Sequence, residues 1–278
     1  MTKRILVTGA TSGIGEEIAR QLGRAGAALV LACRDVATGT RVADSIRAEG
    51  GTSDVVVLPY DAASQASIIE LARACRARFD RLDVLVNNAG LGYDQRVETP
   101  EGLEVVFATN VLGYHRVSMA LLDLLEAGAP SRIVVVASTF ASNLDLDDLQ
   151  WTRRAYEELA AYAQSKACNR LWSWALARRL VARGVTVNAM APGFVPHTGL
   201  SRNLSPDLRA AYSRRSGRTV AEGADTAVWL TTSSAVEGRT GGFYFDRLEL
   251  PCEFRNESDE ERLWRICQRL TAPSTAAT

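Results

Sequence analysis

The chain begins with a pattern that few folds accommodate. A short β-forming run, Arg4-Ile5-Leu6-Val7-Thr8, stops at Gly9-Ala10-Thr11-Ser12-Gly13-Ile14-Gly15, and a helical period follows at Ile18, Ala19 and Leu22. Strand, glycine-rich turn and helix is the arrangement that seats a dinucleotide pyrophosphate. Glycine lets the backbone turn tightly and approach phosphate oxygens closely. The helix start offers unpaired N–H groups and a partial positive charge. The spacing is G-x-x-x-G-x-G rather than the commoner G-x-G-x-x-G. The competing reading is an ordinary glycine-rich βα loop that binds nothing.

The rest of the chain repeats the same alternation. Ala28–Cys33 is a nearly all-apolar run fit for a strand buried on both faces, and Val36 to Glu49 reads as the helix after it. Further strands are expected at 54–58, 82–86, 132–137, 185–190 and 242–245. Helices are expected from Ser64 to Phe79, from Thr99 to Leu125, through Tyr162 to about Arg183, and after Ser205-Pro206-Asp207. Thr219 with Glu222, and Ser258 with Glu261, read as capping boxes for two more. Such alternation predicts one α/β domain over residues 1–270, a Rossmann-type doubly wound parallel sheet of about seven strands with helices on both faces. Residues 193–218 form an expected lid, and 271–278 a mobile tail.

Bulk properties exclude several function classes. Formal net charge is zero, which argues against nucleic acid or a membrane surface as partner. No apolar run approaches the ~20 residues needed to span a bilayer. The five cysteines are scattered and lack C-x-x-C spacing, so reduced thiols in a cytoplasm are the simplest reading. His115 and His197 are too few and too far apart for zinc, so no metal is expected.

Two spots carry chemistry. In this architecture the end of the second strand faces the adenosine ribose, where a carboxylate suits NAD and an arginine suits NADP. Arg34 comes first there, which favours NADP(H); Asp35 reads as a helix cap. Tyr162 and Lys166 lie four apart in a helical run, and therefore on one face, one turn from each other. A nearby ammonium favours the phenolate, so Lys166 is expected to draw the Tyr162 pKa toward neutrality. Such a pair suits proton transfer to or from an alcohol or carbonyl. Only two lysines, Lys3 and Lys166, stand among many arginines, which suggests a role for Lys166 that a guanidinium cannot fill.

Taken together these motifs resemble the short-chain dehydrogenase/reductase family, over nearly the whole chain. The match rests on Thr8–Gly15, on Asn87-Asn88-Ala89-Gly90, and on Asn110, Ser138, Tyr162 and Lys166, which fall where the family keeps a catalytic tetrad. The long interval from Ser138 to Tyr162, Leu31-Ala32-Cys33-Arg34-Asp35 and Leu263-Trp264 suit its retinol-dehydrogenase-like branch, which is typically NADP(H)-linked. Thr198-Gly199-Leu200 is similar to the protochlorophyllide reductases, although Phe194 stands where those enzymes carry a cysteine.

The resemblance implies cofactor contacts at Gly9, Thr11, Ser12, Gly13, Ile14 and Gly15, and at Asp61 and Ala62 by the adenine. It adds Asn88, Ala89 and Gly90, then Tyr162 and Lys166, then Pro192, Gly193, Val195 and Thr198. His197 departs from the usual threonine, and Thr198 is expected to take over its contact. Ser138, Phe140, Tyr162 and Phe194 are expected to meet the substrate, with Asn110 holding a water. Phe140, Leu144 and Trp151, with Phe194, Val195, Leu200, Leu204 and Leu208, suggest a partly apolar pocket, unless they only pack the lid. The implied reaction is NADPH-dependent reduction of a small carbonyl compound, or oxidation of the alcohol. Alternatives are a redox epimerase and a non-catalytic NADPH sensor. A homodimer or homotetramer pairing through the helices that bear Asn110 and Tyr162 is also implied. The Arg and Ala bias looks like a high-GC bacterial genome, hence specialised metabolism.

Overall fold

The computed structural model describes residues 2–196 and 198–272. Eight strands form one sheet in the order β3-β2-β1-β4-β5-β6-β7-β8. They are β1 (Arg4–Thr8), β2 (Ala28–Cys33), β3 (Val55–Pro59), β4 (Val84–Asn87), β5 (Ser131–Val136), β6 (Val185–Met190), β7 (Phe243–Phe245) and β8 (Leu248–Glu249). All pairings through β7 are parallel, and β8 turns back antiparallel on β7.

The central strands β1, β2, β4, β5 and β6 are buried on both faces. Along β2, Leu29 and Leu31 pack on one side and Val30 and Ala32 on the other, the two-residue period of a pleated strand. Helices α1 (Gly13–Arg24), α2 (Val36–Ala48) and α9 (Val220–Thr232) cover the first face. Helices α3 (Gln65–Arg76), α5 (Gly113–Ala120), α7 (Glu158–Leu180) and α10 (Glu257–Thr271) cover the second. The chain adds β2 and β3 on one side of β1, then crosses to place β4 on the other. That reversal leaves a crevice at the carboxyl ends of β1 and β4, where open α/β sheets bind ligands.

Several caps form as expected. The Asp35 carboxylate accepts from the Thr38 amide, and the Thr219–Glu222 box is reciprocal. Four expectations need correction. Thr99-Pro100-Glu101 does not start a helix. Gly102 adopts φ +74°, and the Thr99 hydroxyl accepts from the Glu101 and Leu103 amides, closing a turn. The helix starts later, at α4 (Val105–Phe107), where the Glu104 carboxylate accepts from the Val106 and Phe107 amides at 2.8 and 2.7 Å. It then widens into a π turn (Ala108–Leu112), continues as α5, and breaks before α6 (Leu122–Ala127).

Ser258 and Glu261 form no capping box. Asn256 caps α10 instead, and Glu261 is drawn away to Arg178 and Arg179. An eighth strand joins the seven expected, because Asp246 and Arg247 take left-handed φ values of +49° and +62° and turn the chain back. Such turns usually advertise themselves with Gly or Asn; neither is present. Thr271 belongs to α10 rather than to a tail, and residues 273–278 lie outside the described residues.

Candidate active site

The glycine turn is shaped by contacts that leave no room for side chains. A Cβ at Gly15 would sit 2.2 Å from Asn88 Nδ2 and 2.3 Å from the Gly9 carbonyl. Asn88 Nδ2 donates to the carbonyls of Thr8 and Gly9, and the Thr8 hydroxyl accepts from the Asn88 and Ala89 amides. The end of β4 thus braces the end of β1. Ser12 is the N-cap residue of α1, yet its hydroxyl caps nothing. The turn therefore presents an open helix start and a free hydroxyl to the crevice.

The crevice is a cleft of about 800 Å³. Of the turn residues, Gly9, Thr11, Ser12, Ile14 and Gly15 line it, followed by Arg34, Asp61 and Ala62. Asn88, Ala89, Gly90, Pro192, Gly193, Val195 and Thr198 border it further along, and Ser138, Phe140, Tyr162, Lys166 and Phe194 close one end. Gly13 and Asn110 do not border it. Gly13 (φ +55°) lies under the lid, where a Cβ would meet the Thr198 side chain at 3.1 Å. The departure at His197 lies outside the described residues.

Lys166 is 4% exposed, and its Nζ donates to the Val136 carbonyl at 2.9 Å. The ammonium sits 5.6 Å from the centre of the Tyr162 ring. Burial pushes the Lys166 pKa down to about 7. Burial also pushes the Tyr162 phenol well above its usual range, with Tyr212 adding to the rise and a hydrogen bond with Ser138 opposing it. The direction is opposite to the expectation that Lys166 draws the phenol toward neutrality: desolvation sets it, and the ammonium is not among its causes. The Ser138 hydroxyl oxygen accepts from the Phe140 amide at 3.0 Å. The Phe140 ring lies nearly parallel to that of Tyr162, centroids 6.5 Å apart, and is 48% exposed.

Asn110 sits inside the π turn, fully buried behind the cleft. Its Oδ1 accepts from the Leu91 amide, and its Nδ2 donates to the Leu91 carbonyl and to Ser165 Oγ. Its own carbonyl accepts from Asn169 Nδ2 at 2.6 Å. The side chain is committed to holding the Gly90–Leu91 segment against α7.

The apolar pocket is smaller than expected. Leu200 and Leu208 of the lid line the cleft with Phe194. Trp151, Leu144 and Leu204 do not. Trp151 stacks on the Arg154 guanidinium and meets Tyr156 edge-on, and Leu144 packs onto the core. Among the residues not anticipated that line it are Arg202, Tyr212 and Arg215. Tyr212 meets Phe194 edge-on and the Arg215 guanidinium lies 4.6 Å from the Phe194 ring centre. No local pattern marks these three; only the fold carries the lid, with helix α8 (Pro206–Arg214), across the cleft. Among the described residues, the Arg34 and Arg202 side chains have no hydrogen-bond or ion-pair partner.

A doubly wound sheet, a glycine turn at its switch point and a serine, tyrosine and lysine at one end of the cleft define a dinucleotide-dependent oxidoreductase architecture. The family model for short chain dehydrogenase matches residues 3–209, so the chain belongs to the short-chain dehydrogenase/reductase family. The curated relatives it resembles fall in the retinol-dehydrogenase-like branch. Human retinol dehydrogenase 13 is 37% identical over 286 residues, covering 98% of this chain and 86% of that protein. Mouse polyprenol dehydrogenase is 40% identical over 280 residues, covering 96% and 83%. Among solved structures, an uncharacterized protein from Mycobacterium Paratuberculosis superposes with a TM-score of 0.75 at 27% identity, covering 97% of this chain and 93% of that one. A Pseudomonas aeruginosa RhlG/NADP active-site complex gives 0.68 at 30%, covering 87% and 93%. A Brucella melitensis 3-ketoacyl-(acyl-carrier-protein) reductase complexed with NADH gives 0.66 at 25%, covering 87% and 95%.

Proposed function

We propose that this protein reduces an apolar aldehyde or ketone to its alcohol with NADPH, and runs the reverse oxidation when alcohol and NADP are supplied. The observation that carries this reading is the placement of Ser138, Tyr162 and Lys166 on the same cleft that the glycine turn lines.

The residues fit a dinucleotide. The glycine turn is held against Asn88 by contacts that a Cβ at Gly15 would break, and the open start of α1 beside it suits a pyrophosphate. Arg34 and Arg202, without acidic partners, would hold phosphates, Arg34 the one that distinguishes NADP(H). Asp61 and Ala62 would border the adenine. When bound, the dinucleotide supplies the hydride. The chain supplies the rest. The Ser138 hydroxyl accepts from Phe140 N–H and would turn its proton from Tyr162 to the substrate oxygen. Tyr162 gives that oxygen a proton as the alcohol forms. A phenol held above its usual pKa keeps its proton at neutral pH, which suits the resting protein to reduction. Lys166, next along the same face of α7, would replenish that proton and hold a ribose hydroxyl. Phe140, Phe194, Leu200 and Leu208 would exclude water around the substrate.

The relatives' names support a prenyl-like or retinoid-like carbonyl, in line with those side chains. A bacterial source and a role in specialised metabolism rest on the Arg and Ala bias alone; the curated relatives named above are mammalian. The cytoplasmic reading rests on the five scattered cysteines, which are free; no helix among the described residues is long and apolar enough to cross a membrane.

The test is NADPH and NADH titration of wild type and Tyr162→Phe, with turnover on all-trans-retinal, farnesal, a steroid ketone and a ketose. NADPH is expected to bind more tightly than NADH, and the variant to bind NADPH like wild type while losing at least ~10²-fold in turnover. Binding lost together with turnover would make Tyr162 a structural residue. Binding without turnover by wild type on every carbonyl would favour a sensor.

A further inference from the structure

Arg170 lies one helical turn beyond Lys166 on α7 and is 5% exposed. A buried guanidinium normally has a carboxylate beside it; Arg170 has none among the described residues. Its donors go elsewhere. Nε, at 3.1 Å, and Nη2 both donate to one oxygen, the Ser138 carbonyl. Nη1 reaches Cys252 Sγ at 3.5 Å. One face of the guanidinium lies 3.9 Å from the Phe243 ring centre, with Phe254 at 5.4 Å.

Ser138 needs such a hold. Strand β5 ends at Val136, and the ladder's last grip is the Ala137 amide on the Met190 carbonyl, 2.8 Å. Beyond it, no backbone amide among the described residues donates to the Ser138 carbonyl. If that peptide turned, the Ser138 side chain would swing with it, away from Tyr162.

We propose that Arg170 is a positioning residue: it clamps the Ser138 carbonyl and thereby fixes where the Ser138 hydroxyl meets Tyr162 and the substrate oxygen. This rests on the reading of Ser138 given above. The clamp is held from behind by β7 and the segment leading to α10, so Phe243, Cys252 and Phe254 are tied to the reacting end of the cleft. A side chain that merely filled space between two phenylalanines would need no charge. A lysine there could not send two donors to one carbonyl in a fixed plane.

The test is a double-mutant cycle with Arg170→Met and Ser138→Ala, joined by Arg170→Lys. It uses the full chain, NADPH and the carbonyl compound turned over fastest in the panel above. Arg170→Met is expected to lower kcat by about 10²-fold while NADPH affinity stays at the wild-type value. In the Ser138→Ala background the same change is expected to cost almost nothing further, because the group it positions is gone. Arg170→Lys should keep the melting temperature closer to wild type yet lose kcat nearly as Arg170→Met does. A crystal structure of Arg170→Met should show Ser138 Oγ displaced by more than ~0.5 Å.

Equal losses in both backgrounds, or an unmoved Ser138 with a lowered melting temperature, would make Arg170 a packing residue and overturn the proposal. A Ser138→Ala variant with wild-type kcat would overturn the reading of Ser138 itself, and this proposal with it.

Discussion

Lys166 is the residue whose surroundings decide most. Its ammonium has one protein partner, the Val136 carbonyl, and burial takes its pKa from the ordinary lysine value to about 7. A lowered folded value means that between about pH 7 and the unfolded value of 10.5 the unfolded chain binds the extra proton. Stability from this residue therefore rises with pH across that window and is least below it. A Lys166→Met variant removes the term. Urea unfolding from pH 7.5 to 9.5 should show wild type gaining stability relative to this variant, by at most about 1.4 kcal/mol per pH unit. A difference that stays flat would show that the ammonium remains charged in the fold.

The same residue shows what a sequence can and cannot say. The four-residue spacing placed Tyr162 and Lys166 on one helical face correctly. It could not say which effect governs their titration, because burial is set by Tyr114, Val136 and the lid. Arg202, Tyr212 and Arg215 were illegible for a similar reason. They reach the cleft through tertiary folding, and their local sequence is an ordinary polar helix start and end.

Among the elements, the interrupted helix from Val105 to Ala127 departs most from its pattern. Thr99-Pro100-Glu101 has the composition of a helix start, but Gly102 and the Thr99 hydroxyl make a turn of it. The start signal that prevails is Glu104, a residue type less common at N-caps than Ser, Thr, Asp or Asn. The parallel strands were far easier to read, since Ala28–Cys33 is apolar on both faces and Val185–Met190 is apolar at alternate positions.

Glu104 is 1% exposed, and burial pushes its pKa up to about 6, against the pull of its two amide donors. It holds the first turn of the helix that carries Asn110. Glu104→Ala leaves two buried amides without acceptors, a loss of about 2 kcal/mol or more. Unfolding at pH 8 should show that loss. Turnover should fall as well, because the π turn that aims Asn110 at Leu91 and Ser165 begins four residues later. Unchanged stability would mean that water replaces the carboxylate at no cost. The sign of its pH effect is opposite to that of Lys166. A carboxyl raised from 4.5 to about 6 takes up a proton on folding, so its contribution to stability declines as pH rises through that interval.

At the scale of the molecule, α10 determines which surface is left for a partner. Leu263, Trp264 and Cys267 are buried against the second face of the protein. The Trp264 ring meets His115 of α5 edge-on at 4.9 Å, and the Arg179 guanidinium of α7 covers it at 4.3 Å. His115 accepts from Trp172 Nε1 and is pushed down to about 4 by burial, so its imidazole stays uncharged at neutral pH. Around it, Arg178 and Arg179 bind Glu260 and Glu261, and Arg116 reaches the Leu270 carbonyl. The resemblance implied pairing through the helices that bear Asn110 and Tyr162. In this chain α10 lies across α5 and α7, on surface that such pairing would use.

The expected solution species is therefore one that leaves this face unpaired: light scattering of the full chain should give the monomer mass, or an oligomer whose hydrogen-exchange footprint avoids α5 and α7. Trp264→Ala should cost about 3–5 kcal/mol and, by loosening α10, expose an apolar strip along α7, so that self-association appears where wild type shows none. A wild-type dimer whose protected amides lie on α5 and α7 would contradict this, since α10 and a second copy cannot occupy the same surface.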